Sequence, residues 1–332
     1  MPLGEFDLIR RYFQDSALEA AGDVDAVTLG IGDDAALLRP EPGKQWVVST
    51  DTLVLGTHFP EHYLPADLGY RALAVAVSDL AAMGARPLSF TLALTLPQAD
   101  EGWLASFAEG LTQAAQDHRI CLVGGDTTRG PLNVGVTVMG QVEPRRVVRR
   151  QGAQPGDLLC VGGLLGDGGA GLALVLGERL PDGLAEGERG YLKARFWRPR
   201  AQCELGLELA GIASAGIDIS DGLLADAGHL ASASGVGLKI RRADLPCSKA
   251  LMAWPEAQRL EWMLSAGDDY VLLFTLPVAS TAALAVWRSQ GFAVSAIGQV
   301  VAGQGVWLDD GQALVNMDQP AGYQHFKDTP ND

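Results

Sequence analysis

Basic charge is scarce in this chain. Its 332 residues carry 25 Lys and Arg against 40 Asp and Glu, a formal net charge of −15. Neutralising a nucleic-acid backbone requires clustered Lys and Arg, and an anionic membrane attracts the same residues, so both partners are excluded. Histidine is also sparse, at 5 residues with no H-E-x-x-H pair, and the 4 cysteines, Cys121, Cys160, Cys203 and Cys247, show no C-x-x-C spacing. Zinc sites therefore lack ligands, and the cysteines read as reduced core thiols. Apolar stretches such as residues 72–77 fall far short of the roughly 18 residues of a membrane span. The N-terminal segment holds Glu5 and Asp7 where a signal peptide would place basic residues. A cytoplasmic protein is expected.

Apolar content, by contrast, is ample at 48%, and the length divided by about 150 residues per domain gives roughly two domains. β-Branched runs at 46–50, 90–95, 134–138 and 271–275 predict strands. Helices are predicted at 66–83 with Asp67 as N-cap, and at 100–118, 199–213, 222–234 and 280–290. This alternation implies an α/β chain of mixed α+β layers. The basic run Arg145-Arg146-Val147-Val148-Arg149-Arg150 marks a boundary, placing one domain at 1–142 and another at 150–332. Residues 177–190, rich in Gly, Glu and Asp, read as a loop.

Several acids stand where surface charge does not explain them. Asp33 and Asp34 occupy a glycine-bounded turn ahead of Leu37-Leu38, and the strand at 46–51 ends in Ser49, Thr50 and Asp51. Asp79 is the sharpest case, because its helical neighbours Val75, Ala82 and Met83 are all apolar. A buried carboxylate is costly unless a cation or donors meet it. Gly125-Asp126-Thr127-Thr128, Asp218-Ile219-Ser220-Asp221-Gly222 and Gly267-Asp268-Asp269-Tyr270 add three further clusters. Any single Asp-Gly or Asp-Asp pair is adequately explained as a turn or cap. Together they form a hard-oxygen set suited to Mg²⁺ with substrate phosphate. Neither a P-loop nor an H-R-D kinase signature is present.

Gly166-Asp167-Gly168-Gly169-Ala170-Gly171 satisfies G-x-G-x-x-G after a predicted strand. Two readings stay open: a dinucleotide fingerprint, and close packing of a helix start on a strand. The first lacks its ribose-binding acid, since the region about 20 residues on is the polar stretch 177–190.

The strings GIGDDAALL at 30–38, STDTLVLGTHF at 49–59, SDLAAMGARP at 78–87, GGDTTRGP at 124–131, DISDGLLADAGH at 218–229 and GDDY at 267–270, with Gly-Glu-Phe at 4–6, closely resemble the thiamine-monophosphate kinase family. The likeness runs from residue 4 to residue 326. It implies a two-domain PurM-like architecture, with the N-terminal domain binding ATP and Mg²⁺ and its sheet forming a homodimer interface, and a C-terminal α/β domain completing an active-site cleft. It implies ATP as co-substrate, several Mg²⁺ ions, and phosphorylation of thiamine monophosphate to thiamine diphosphate. By the same resemblance Asp34, Ser49, Thr50, Asp51, Asp79, Asp126, Asp218 and Asp221 would hold metal. Gly125, Asp126, Arg150 and Ser220 would meet ATP, and His58, Asp268 and Tyr323 the acceptor. Asp268 stands where the family commonly carries Glu. The rivals are another ATP-dependent enzyme of the superfamily, of selenophosphate or aminoimidazole ribonucleotide synthetase type, and an NAD-binding oxidoreductase.

A phosphate monoester has a second pKa near 6, so at neutral pH it is already a dianionic nucleophile. No general base is expected, and direct in-line transfer without a phosphoenzyme follows.

Overall fold

The computed structural model describes residues 9–14, 17–22, 26–178, 181 and 183–317. The string at 4–6 and Tyr323 lie outside these residues. The chain divides into two compact units, Met1–Val147 with Trp197–Ala210, and Val148–Phe196 with Gly211–Asp332.

In the first unit β1 (Val27–Leu29) and β2 (Leu37–Leu38) form a small antiparallel ribbon. Then follow β3 (Gln45–Val54), α1 (Pro65–Ala82), β4 (Arg86–Leu96), α2 (Glu101–His118), β5 (Cys121–Arg129) and β6 (Asn133–Val142). The sheet order is β3-β6-β4-β5, with β4 and β5 parallel and the other pairs antiparallel. Val134, Val136 and Val138 of β6 are buried while the residues between them are half-exposed, the alternation of a sheet with one covered face. Helix α1 supplies that cover and also packs against α2. It is buried from Leu68 to Ser78, as its apolar composition all round requires. Gly110 on α2 permits the close crossing, since a Cβ there would lie 1.7 Å from the Ala66 carbonyl oxygen.

Helix α1 does not begin at an Asp67 cap. Leu64 is the extended N-cap residue and Pro65 opens the helix, as its missing N–H allows. Asp67 instead accepts a hydrogen bond from Arg198 Nε at 2.6 Å. Asp100 does cap α2, accepting the Trp103 amide at 2.7 Å.

The helix expected at 199–213 is the shorter Cys203–Leu209. Ala210 leaves helical geometry, and its carbonyl accepts two bonds from Arg146. This stretch packs with the first unit, through contacts of the short helix with α1 and of the Ala201 amide with His118, although it falls within the span 150–332 expected for the second.

The second unit holds β7 (Leu158–Gly162), α3 (Asp167–Val175), α4 (Glu186–Trp197), β8 (Ala215–Asp218), α5 (Leu223–Ser234), β9 (Gly237–Arg241), α6 (Glu256–Ser265), β10 (Leu272–Leu276), α7 (Ala283–Ser289), β11 (Val294–Val301), β12 (Gly305–Asp309) and β13 (Leu314–Asn316). Its sheet runs β13-β12-β9-β11-β7-β10-β8, and only β12 and β9 pair in parallel. The core between sheet and helices includes Val161, Ile217, Leu230, Leu238 and Leu273. Helix α4 begins inside the 177–190 stretch read as loop, where the Ala185 amide is capped by Glu188 Oε2 at 3.1 Å.

Candidate active site

Strand periodicity sorts the acids of the first unit. Side chains alternate between faces, so Ser49 and Asp51 of β3 share the helix-covered face and Thr50 stands on the other. There the Ser49 hydroxyl donates to Asp79 of α1, whereas Thr50 Oγ1 pairs with Thr137 Oγ1 at 2.9 Å on the open face. Burial and the neighbouring Asp79 carboxylate push Asp51 up from 3.8 to about 6. Asp51 Oδ2 is buried and has no hydrogen-bond partner among the described residues. Two close carboxylates, a hydroxyl and an orphaned oxygen form a donor set that fits a hard divalent cation.

A second grouping surrounds a cavity of about 820 Å³, within the range of ligand pockets. It is lined by Gly30–Ala36 on one side and by residues 122–127, with Thr91 and Leu92, on another. Asp34 and Asp126 thus meet at one cavity, which Ser49, Asp51 and Asp79 do not line. Register places Asp126 opposite Ala93, which pairs with Gly135, the partner of Thr52, so Asp126 belongs to the open face of the sheet. Gly125 sits at φ 155°, and a Cβ there would lie 2.0 Å from the Leu92 carbonyl oxygen. His58 is half-buried, and its Nδ1 accepts the Val54 amide at 3.0 Å.

In the second unit Asp218 ends β8 and is buried, and Ser220 and Asp221 follow in the turn into α5. The turn is held by a residue that sequence reasoning passed over. Asp226 Oδ2 accepts the amides of Ser220, Asp221 and Gly222 at 3.0, 3.1 and 3.2 Å. Burial, reinforced by the Asp218 and Asp221 carboxylates, pushes Asp226 up to about 8. Ligand atoms of Asp221, Asp226 and His229 lie within 4.8 Å of one another. Periodicity alone does not mark Asp226 as it marks Asp79, since its helical neighbours at i−4 and i+3 are Gly222 and the exposed His229. Arg150 is exposed, with its carbonyl accepting the Ser234 hydroxyl at 2.9 Å.

The GDDY segment is the third part. Asp268 lies at φ 59° and its carboxylate accepts the Tyr270 hydroxyl at 3.2 Å. Asp269, which the sequence did not single out, is 2% exposed and accepts the amides of Gly166 and Gly168 at 2.7 and 3.0 Å. That geometry overturns the dinucleotide reading. The amides that a pyrophosphate would need are taken by a protein carboxylate, and β7 lies between antiparallel neighbours rather than in a parallel βαβ sheet. No described helix is long and apolar enough to cross a membrane.

Family models described as the N-terminal and C-terminal domains of AIR synthase related protein match residues 32–142 and 154–310. A thiamine-monophosphate kinase from Salmonella typhimurium is 46% identical over 98% of this chain and 99% of its own length. A crystal structure of thiamine-monophosphate kinase from Stenotrophomonas maltophilia K279a superposes with a TM-score of 0.83 at 43% identity, covering 93% of this chain and 98% of that one. The structure described as AaThiL complexed with AMPPCP and TMP gives a TM-score of 0.76 at 34% identity over 98% and 99%.

Proposed function

The chain belongs to the thiamine-monophosphate kinase family, and from that premise we propose that it transfers the γ-phosphoryl group of ATP to thiamine monophosphate, giving thiamine diphosphate and ADP. The observation that carries the reading is identity of 46% sustained across 98% of the chain. The relative described with AMPPCP and TMP supports both ligands.

Ser49, Asp51 and Asp79 hold one Mg²⁺ in this reading, Asp51 supplying the oxygen that the protein leaves unpartnered. Asp34 and Asp126 serve metal at the 820 Å³ cavity, where Gly125 meets the nucleotide. Asp218 and Asp221 serve metal in the second unit, with Ser220 and Arg150 as nucleotide contacts. Thr50, on the opposite face of β3 with its hydroxyl paired to Thr137, stands apart from the set of Ser49, Asp51 and Asp79. Bound Mg²⁺ supplies charge screening between two polyanions and polarises the transferred group. His58, Asp268 and Tyr323 orient the acceptor. Its phosphate is a dianion at neutral pH, so the chain has no proton to remove, and the task of these side chains is alignment.

A homodimer forms through the open face of the four-stranded sheet, where Trp46 is 39% and Val48 59% exposed beside Thr50 and Thr52. The protein acts in the cytoplasm. Incubation with ATP, Mg²⁺ and thiamine monophosphate, followed by chromatography, yields thiamine diphosphate. Absence of that product under conditions where the chain is folded overturns the reading.

A further inference from the structure

We propose that Asp269 is the positioning residue of the acceptor-binding loop, using its buried carboxylate to lock residues 267–270 against the start of α3. The inference rests on the function proposed above. It is carried by backbone geometry. Asp268 and Tyr270, at φ 59° and 49°, are two of the three non-glycine residues with left-handed backbone among those described, and they flank Asp269 on either side. Side chains resist that conformation, and such residues persist only where the surroundings over-determine them.

The surroundings do so here from two sides. On one, Asp269 receives the amides of Gly166 and Gly168, and its own carbonyl accepts Arg195 Nη2 at 2.8 Å. On the other, the Asp268 and Tyr270 amides donate to the carbonyls of Ser220 and Ile219 at 2.9 and 2.8 Å. The segment is thus clasped between the glycine-rich turn and the Ser220 loop. Charge matches too, because a carboxylate at a helix start satisfies amides that lack partners within the helix. The space is closed, since a Cβ on Gly168 would lie 2.3 Å from the Asp268 carbonyl oxygen. Asp268, the side chain assigned to the acceptor, therefore takes its direction from a neighbour that is itself buried. The GxGxxG segment thereby acquires a role as the anchor of that loop.

Asp269→Asn keeps the shape but turns an NH₂ group toward one of two amide donors, which releases the lock. Its expected effect is a rise of about 10- to 100-fold in KM for thiamine monophosphate, with a smaller change in KM for ATP and with the far-UV circular dichroism of the parent. Gly168→Ala presses on the same contact from the opposite side and gives the same pattern. The double variant is no worse than the more severe single, because both act through one contact. Calorimetric titration of thiamine monophosphate into each folded variant shows the same weakening without turnover. Unchanged acceptor KM and affinity in folded Asp269→Asn and Gly168→Ala overturn the inference, as do equal losses for both substrates accompanied by a fall in Tm. If the parent chain itself makes no thiamine diphosphate, the functional reading fails, while calorimetry still decides the inference: thiamine monophosphate bound more weakly by the variants than by the parent upholds it, and no difference in binding overturns it.

Discussion

Replacing Asp51 by Asn should make the metal-free protein more stable while weakening its response to Mg²⁺. Asp51 is raised from 3.8 to about 6 by burial and by the Asp79 carboxylate. A carboxyl raised in the folded state adds stability that is complete below its unfolded value and is lost as pH rises through the folded one. At pH 8 the native protein therefore carries an unfavourable charge, and a rise from 3.8 to about 6 corresponds to an upper bound of about 3 kcal/mol at 1.36 kcal/mol per pKa unit. Asparagine removes that charge in the same volume, and its NH₂ group can face the Asp79 carboxylate as a donor. Thermal unfolding at pH 8 in EDTA should show a higher Tm for Asp51→Asn, by several degrees. Mg²⁺ at about 1,000 times its Kd should reverse the order, since it then stabilises the native protein by about 4.1 kcal/mol, more than the bound of about 3, and the variant lacks this site. Below pH 3.8 the two proteins should converge. An Asn variant less stable than the parent in EDTA, or one stabilised equally by Mg²⁺, would refute the assignment.

Asp79→Asn should abolish turnover with the circular dichroism spectrum unchanged; retained activity would remove Asp79 from the metal set. Gly125→Ala forces a Cβ to within 2.0 Å of the Leu92 carbonyl oxygen, which pushes β5 from β4 and moves Asp126. Denaturant titration should show a loss of about 2–4 kcal/mol together with weaker binding of an ATP analogue. His118 is buried, pairs through Nδ1 with the Ala114 carbonyl at 2.8 Å and accepts the Ala201 amide on Nε2 at 3.1 Å. Burial lowers its pKa below 6.5, with Asp117 opposing and Arg200 reinforcing the shift. The unfolded chain then takes up the proton first, so stability is complete above pH 6.5 and falls below it with a slope of at most about 1.4 kcal/mol per pH unit. His118→Gln, which can donate and accept once each, should flatten the Tm profile between pH 7 and 5; an unaltered profile would exonerate the imidazole.

Legibility in the sequence followed the range of the forces involved. The strands at 46–50, 90–95, 134–138 and 271–275 and the helices at 66–83 and 100–118 are set by local periodicity, and the elements found there agree within a few residues. Asp67 failed as a cap because Pro65 opens the helix and a cation 131 residues away, Arg198, claims the carboxylate. The short helix Cys203–Leu209 ended early for a similar reason, its following carbonyl being taken by Arg146. Among the acids, the anomaly of Asp79 was visible because an apolar helix face is a local pattern. Asp226 was less legible, because its helical neighbours include Gly222 and the polar His229, and the backbone amides it accepts carry no charge to mark them in the sequence. Asp269 offers no local pattern: its function as an anchor depends on amides about 100 positions earlier in the chain. The glycines of 166–171 were equally opaque, since the same spacing serves a pyrophosphate or a carboxylate and only the group that occupies the amides decides between them. An acid whose partners are backbone amides leaves no charge complement in the sequence, so buried anchors of this kind become visible only when the fold brings their donors to them.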